Sequence, residues 1–275
     1  MKVKRQPQSS PKYSLVISAL LVVIILQWIY IARTHRPEKP SKEAIRPEPK
    51  PPVTQAVKGR IAIVLDDWGY NLNNLGLIEE IRYPVTLAVL PNLAFSERIA
   101  KELNARGFEV ILHLPMEPRE KKRLEKNTVM VSMSREKLGD ILDDDLAAVP
   151  FARGVSNHMG SLATRDNATM EALFRELKKR RLYFLDSYVS SGNTGLEAAR
   201  KVNLRYARRD VFLDNRLEAS YIRRQVQQLK MKAKMRGEAI GIGHDRRATL
   251  EVLKEMMPQL AKEGYRFVFV SELVE

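Results

Sequence analysis

Asp66 and Asp67 stand side by side at the end of the apolar run Ile61-Ala-Ile-Val-Leu65. Adjacent carboxylates repel, which raises the pKa of one of them unless a cation neutralises the pair. A buried strand does not tolerate two ionised side chains, so the pair belongs at the strand's mouth. A divalent ion is one solution, with one Asp as ligand and the other left as a base; capping of the next helix is the plainer one. Of the four histidines, His35 lies in a proline-rich stretch, whereas His113, His158 and His244 each close a short strand-like run. One carboxylate and two neutral imidazoles with an open position suit a catalytic Zn²⁺, or another divalent ion of the same range. The expected ligands are Asp67, His113 and His158. Glu117, four residues after His113, is a rival third ligand, a supporting partner or a surface residue without a role. His244, in Gly241-Ile-Gly-His-Asp245, is the expected general acid with Asp245 orienting its ring, and Asp66 the expected base.

These residues need a scaffold that gathers strand ends. Strand-like runs recur at 61–65, 85–90, 110–112, 154–156, 183–185, 211–213, 239–243 and 267–270. Helical patterns lie between them with identifiable stops: 94–106 before Gly107, 134–149 before Pro150, 167–181 after a cap at Asp166, 217–236 before Gly237, and 249–263 before Gly264. Repeated strand–helix units imply parallel strands. Seven or eight of them in residues 59–275 predict an α/β fold, a distorted seven- or eight-stranded (β/α) barrel. The strand ends of such a barrel share one face, and sites are built there. That face collects Asp66, Asp67, His113, His158, Asp186, Asp214 and His244.

The rest of the chain is organised differently. Residues 1–12 carry Lys2, Lys4, Arg5 and Lys12 with no acid, and Tyr13 to Ala32 is almost wholly apolar. Twenty helical residues rise about 30 Å, enough to cross a bilayer. The expectation is a cytoplasmic basic N-terminus (1–12), an uncleaved transmembrane anchor (13–33), a proline-rich linker (34–58) and a domain (59–275) in the periplasm, held at the inner membrane. Of the net charge of +14, residues 1–58 account for +8, with eleven Lys and Arg against three acids. The domain is therefore only modestly basic, which disfavours nucleic acid as a partner. The basic runs 119–126, 178–181 and 230–236 read as solvated faces, or as surfaces for an anionic membrane or an acidic glycan. No cysteine is present, so neither disulfides nor thiolate metal sites operate. Composition is silent on oligomeric state.

In Val64-Leu-Asp-Asp-Trp-Gly-Tyr70, His113-Leu-Pro-Met-Glu-Pro118, Asn157-His-Met-Gly-Ser161, Asp186-Ser-Tyr188, Phe212-Leu-Asp-Asn215 and Ile242-Gly-His-Asp245, the chain resembles the divergent polysaccharide deacetylases, the YibQ-like branch of a carbohydrate deacetylase superfamily. The resemblance runs in order through 60–275. It implies a distorted (β/α) barrel and metal-dependent removal of acetyl groups from an N-acetylated sugar, with envelope glycan or peptidoglycan as the polymer at hand. Asp66 would be the base, Asp67 and His113 metal ligands, and His244 the acid. Deacetylases of the superfamily place a second metal histidine where Glu117 stands, so His158 would supply it from the neighbouring strand. They also carry an arginine–proline motif that has no counterpart here. Asp186 and Asp214 are expected to hold sugar hydroxyls, to orient ligands, or only to cap helices. Trp68 and Tyr70 are expected to stack on a sugar face or to pack in the core. The alternative function is a catalytically inactive protein of the same fold that binds glycan or scaffolds the envelope.

Overall fold

The computed structural model describes residues 21–31 and 57–275. The chain divides into two units, Met1–Thr54 and Gln55–Glu275. In the first, residues 21–31 form a helix (α1). The remainder of the expected anchor, the basic N-terminus and nearly all of the linker lie outside the described residues, among which no helix is long and apolar enough to cross a membrane.

The second unit alternates strands and helices: β1 (Gly59–Trp68), α2 (Leu75–Glu79), β2 (Thr86–Val89), α3 (Ser96–Ala105), β3 (Glu109–Met116), α4 (Arg135–Ala148), β4 (Gly154–Met159) and α5 (Asn167–Lys179). It continues with β5 (Tyr183–Asp186), α6 (Thr194–Val202), β6 (Tyr206–Arg208), β7 (Val211–Phe212), α7 (Ala219–Arg236), β8 (Glu238–His244), α8 (Arg247–Lys262) and β9 (Tyr265–Val268). The helix ends follow local chemistry. The Asp166 side chain accepts from Thr169 N at the start of α5, and Gly237 ends α7 in the left-handed conformation that a Cβ disfavours.

All paired strands are parallel, in the order β6-β5-β4-β3-β2-β1-β8-β7, with β9 added beside the first residues of β1. Laid flat, eight strands at about 4.8 Å would hold the edges roughly 34 Å apart. Yet Arg208 of β6 and Val211 of β7 are three Cα steps apart, at most about 11 Å. The sheet must therefore curl until its edges nearly meet. No β6–β7 pairing is formed among the described residues, and the seam is crossed only by Arg209-Asp210. Both edges are engaged elsewhere: Tyr206 exchanges backbone hydrogen bonds with Glu275, and Asp210 N donates to Ile240 O while its Oδ2 accepts from Ile240 N. The expected seven- or eight-stranded barrel is thus a nine-stranded half-barrel. Two edge strands of three and two residues are too short to close it.

Side chains alternate across each strand. In β1, Ile61, Ile63 and Leu65 pack outward under the helices, whereas Ala62 and Val64 point into the interior with Ile111, Leu185 and Ile242. The same inward files end at the top in Asp66, His113 and His244. At the floor, buried Glu109 of β3 accepts from Thr86 Oγ1 (2.8 Å), Tyr183 Oη (3.0 Å) and Ser271 N (3.2 Å). Burial, with the Glu109 charge beside it, pushes the Tyr183 hydroxyl far up, so that it stays a donor.

Asp145 of α4 ties two upper loops together. Its side chain is fully buried and its Oδ1 accepts from Asn92 Nδ2 (2.7 Å) and Asn127 Nδ2 (3.0 Å), two residues with positive φ. Burial raises its pKa to about 6, against the two amide hydrogen bonds. The native state thus binds this proton more tightly than the unfolded chain, where a carboxyl titrates near 4. The contribution is fully present below pH about 4 and is lost as pH rises through about 6. We expect Asp145→Asn to remove a slope worth at most about 3 kcal/mol over that window. Urea unfolding of both proteins at pH 4.5 and 7.5 checks it, and parallel pH dependence in the two refutes it.

Candidate metal centre

A regular strand cannot aim two consecutive carboxylates at one cavity. β1 solves this with a bulge. Its register against β2 shifts between Leu65 and Trp68, and Asp67 adopts φ 65°. The left-handed residue re-aims its side chain so that Asp66 and Asp67 face the same interior space. It also moves the following residue to the outer layer: Trp68 is 0% exposed and packs with Ile61, Ile63 and Leu65. Of the two expectations for Trp68, core packing is the one this arrangement meets, and stacking on a sugar face is excluded by its burial. Tyr70, 49% exposed, is the aromatic that the turn leaves on the surface.

β3 and β4 run side by side with His113 opposite Ser156 and Pro115 opposite His158. After His158 the chain turns away through Met159 (φ 54°) and Gly160 (φ 91°), where a Cβ on Gly160 would come within 2.9 Å of Met116 Cβ. Three atoms then meet. Asp67 Oδ1 lies 3.1 Å from His158 Nδ1 and 3.3 Å from His113 Nε2, and the two imidazole nitrogens are 3.3 Å apart. An ion bound at about 2.1 Å in tetrahedral or octahedral geometry keeps its ligand atoms roughly 3.0–3.4 Å from one another. Asp67 Oδ1 is buried without an aligned hydrogen bond of its own, as expected of a lone pair aimed at a shared point. The triangle therefore fits a divalent cation, and Asp67, His113 and His158 form the one such group among the described residues.

The electrostatics agree with that fit. Burial alone would raise the Asp67 carboxyl, but its interactions with His113 and His158 outweigh burial and hold it well below the usual carboxylate range. Burial lowers the His113 pKa to about 4, so its ring is neutral, the form that ligates. Ser156 Oγ lies 2.8 Å from His113 Nδ1, and the tautomer that donates Nδ1–H to it leaves Nε2 as the free lone pair a metal ligand needs.

Two further groups face the cavity. Asp66, 3% exposed, has Oδ2 3.7 Å from His113 Nε2. Burial and then the charges of Asp67 and Asp214 raise its pKa strongly, with only the Arg209 charge acting the other way. His244 Nε2 lies 3.8 Å from Asp67 Oδ2. Its Nδ1 is 2.9 Å from Asp214 Oδ1, while Asp214 Oδ2 accepts from His244 N (2.8 Å) and Thr249 Oγ1 (2.7 Å). Burial works to raise Asp214, but these bonds to His244 and Thr249 prevail and keep it ionised.

Several expected roles change in this geometry. Asp214, 0% exposed, orients His244 and does not face a substrate. Asp245, expected to orient His244, instead accepts from Asn74 Nδ2 at 2.8 Å. Asp186 is buried with both oxygens occupied, by Tyr188 N and Tyr206 Oη at 2.7 Å each, so it holds β5 to β6 and no sugar hydroxyl. Glu117 stays out of the ligand group and accepts from Val131 N (2.7 Å), closing the base of the loop after β3. Arg209 and Ser156 carried no expectation. Arg209 donates from Nε to Ser187 O (2.7 Å) and from its guanidinium to Tyr188 O (3.0 Å), which holds its charge near Asp66. Arg209 follows β6, a strand absent from the runs read in the sequence, and so offered no sequence signal.

The profile of the divergent polysaccharide deacetylases matches residues 63–274. The uncharacterized protein YibQ of Escherichia coli K12 is 37% identical over 203 residues, 74% of this chain and 63% of that protein. The chain thus matches less than two thirds of that relative's length. An uncharacterized protein of Haemophilus influenzae is 30% identical over 206 residues, 75% of this chain and 74% of its own. The crystal structure of an uncharacterized protein from Agrobacterium tumefaciens C58 superposes with TM-score 0.74 at 24% identity, over 80% of this chain and 91% of that one, and shares the fold.

Proposed function

Because the chain belongs to the divergent polysaccharide deacetylase family, we propose that it is a metal-dependent hydrolase that removes acetyl groups from an N-acetylated envelope polysaccharide. The observation that carries this reading is the triangle of Asp67 Oδ1, His113 Nε2 and His158 Nδ1, with Asp66 and His244 beside it. Asp67, His113 and His158 would hold the ion, and this donor set suits zinc. When bound, a divalent ion polarises a carbonyl and acidifies water.

The chain's own groups do the rest. Asp66 accepts the proton of the attacking water, and the Arg209 charge favours the ionised form that this requires. Asp214, ionised, holds His244 Nδ1–H, so that Nε2 faces the site and delivers a proton to the leaving amine. Tyr70 offers an exposed ring close to Asp67 for the apolar face of a sugar. With the apolar run 13–33 as anchor and 34–58 as spacer, the domain would stand on the periplasmic face of the inner membrane, where peptidoglycan is the polymer within reach. The second reading, an inactive glycan-binding protein, draws on the raised Asp66 pKa, since a protonated carboxyl is no base.

Metal content and acetate release separate the two. The full-length chain, purified in detergent without a histidine tag, is expected to hold about one metal ion and to release acetate from N-acetylglucosamine oligomers or peptidoglycan. Metal without release on either polymer supports the inactive reading. Absence of both refutes the hydrolase.

A further inference from the structure

The loop after β3 presents Arg119, Lys121, Lys122, Arg123 and Lys126 within eight residues, all exposed. Several surface cations elsewhere on the domain are answered by neighbouring acids, as in Lys101–Glu97, Arg98–Glu102, Arg223–Glu255 and Arg247–Glu251. None of the five loop cations forms an ion pair among the described residues. The loop's own acids take hydrogen bonds from outside it, although Glu120 stays near enough to Lys122 and Arg119 that their charges add to its hydrogen bonds in lowering its pKa. Glu120 Oε2 accepts from Ser161 Oγ (3.2 Å) and Glu125 Oε1 from Tyr70 Oη (2.7 Å).

Those two bonds also fix where the loop stands. Tyr70 is three residues past Asp67, and Ser161 three past His158, so the loop is pinned to both arms that carry ligands of the triangle. Its base is closed by Glu117 N to Val129 O (2.9 Å) and Val129 N to Pro115 O (2.8 Å). Tyr70 is close enough to both that Asp67 raises its pKa while Arg123 lowers it, on top of the upward push of burial and Glu125. Between the loop and the β4 arm lies a groove of about 280 Å³ where three cations, Arg119, Lys121 and Lys122, outnumber two carboxylates, Glu117 and Glu120, beside the apolar Leu124, Met130 and Leu162. Holding unpaired like charges together costs energy that a solvated face avoids by interleaving acids. A groove of this kind beside a reaction site concentrates anions.

We propose that the polymer acted on at the Asp67–His113–His158 site is an anionic glycan, whose carboxylate or phosphate groups lie in this groove against Arg119, Lys121 and Lys122 while its acetamide reaches the triangle. The inference rests on the hydrolase reading for what happens at the triangle, and on the loop alone for the charge of the substrate.

The test titrates the full-length chain with three probes of equal length: N-acetylchitotetraose, a tetrasaccharide alternating N-acetylglucosamine with N-acetylmuramic acid, and a 6-phosphorylated N-acetylglucosamine tetramer. Calorimetric Kd values and acetate release are compared with those of an Arg119→Ser, Lys121→Ser, Lys122→Ser variant. An anionic probe is expected to bind at least about tenfold more tightly than the neutral one, and the tighter of the two identifies the anion. That advantage is expected to disappear in the variant and to shrink in 0.5 M KCl, with kcat unchanged and KM raised. Equal affinity for all three probes overturns the inference, even if acetate is released. An anionic preference without acetate release from any probe supports it and tells against the hydrolase reading.

Discussion

Asp67→Asn is expected to reduce bound metal from about one ion per chain to less than about a tenth and to lower acetate release by at least about 10³. Asp67 is the only charged member of the triangle, and without it two neutral imidazoles face the cation. Asparagine is the informative substitution because residue 67 sits at φ 65°. Asn tolerates that conformation, whereas Ala adds a backbone penalty to the loss of charge. Without metal, the variant is expected to lose the stabilising interactions with His113 and His158 that hold the Asp67 pKa low, offset in part by relief of the Asp66 carboxyl. The Asp67 charge is the largest cause after burial of the raised Asp66 pKa, and the substitution removes it. Metal analysis, acetate assay and thermal melts of both apo proteins measure the three effects together. Full metal occupancy in Asp67→Asn would refute the assigned ligand set, and a collapsed apo protein would mean that the carboxylate holds the fold rather than an ion.

His244→Gln is expected to cut kcat by about 10²–10⁴ while leaving the metal in place. The distance from His244 Nε2 to Asp67 Oδ2 is 3.8 Å, and His244 stands outside the group whose atoms converge. Asp214→Asn should produce much of the same kcat loss with KM unchanged, because the ring would lose the carboxylate that fixes its orientation through Nδ1. It should also destabilise the domain by about 1–3 kcal/mol, since Asp214 Oδ2 accepts from both His244 N and Thr249 Oγ1 and an amide cannot accept through its nitrogen. His244→Gln, which leaves that carboxylate intact, separates the two effects. Loss of metal from His244→Gln would make His244 a ligand, and unchanged turnover would assign the acid elsewhere.

Much of this architecture is legible in the chain alone. Alternating apolar residues such as Ala62 and Val64 against Ile61 and Ile63 mark a strand with two buried faces, and Gly237 and Asp166 mark helix ends through strictly local chemistry. The position of Asp66, Asp67, His113, His158 and His244 after strand-like runs was enough to group them on one face. The motif resemblance to the divergent polysaccharide deacetylases named the family that the profile match shows.

Asp245 was misread, and the alternatives for Trp68, Asp186, Asp214 and Glu117 stayed open, because their roles depend on partners distant in sequence. Period-two alternation would send Asp67 away from Asp66, and only the bulge, a shift of β1 against β2, brings both carboxylates inward and buries Trp68. Asp214 reaches His244 across thirty residues because β7 pairs with β8 in the register Phe212 opposite Ile242. Strand β6 is too short for periodicity to declare it, β7 is two residues of the expected run 211–213, and their place at opposite edges leaves the sheet open. Residue type and spacing are local, so they could determine the elements and which strand ends carry polar groups. Register, bulge and sheet closure are contacts between segments, and these decided which carboxylates face the candidate ion, which orient a ring, and which merely hold the fold.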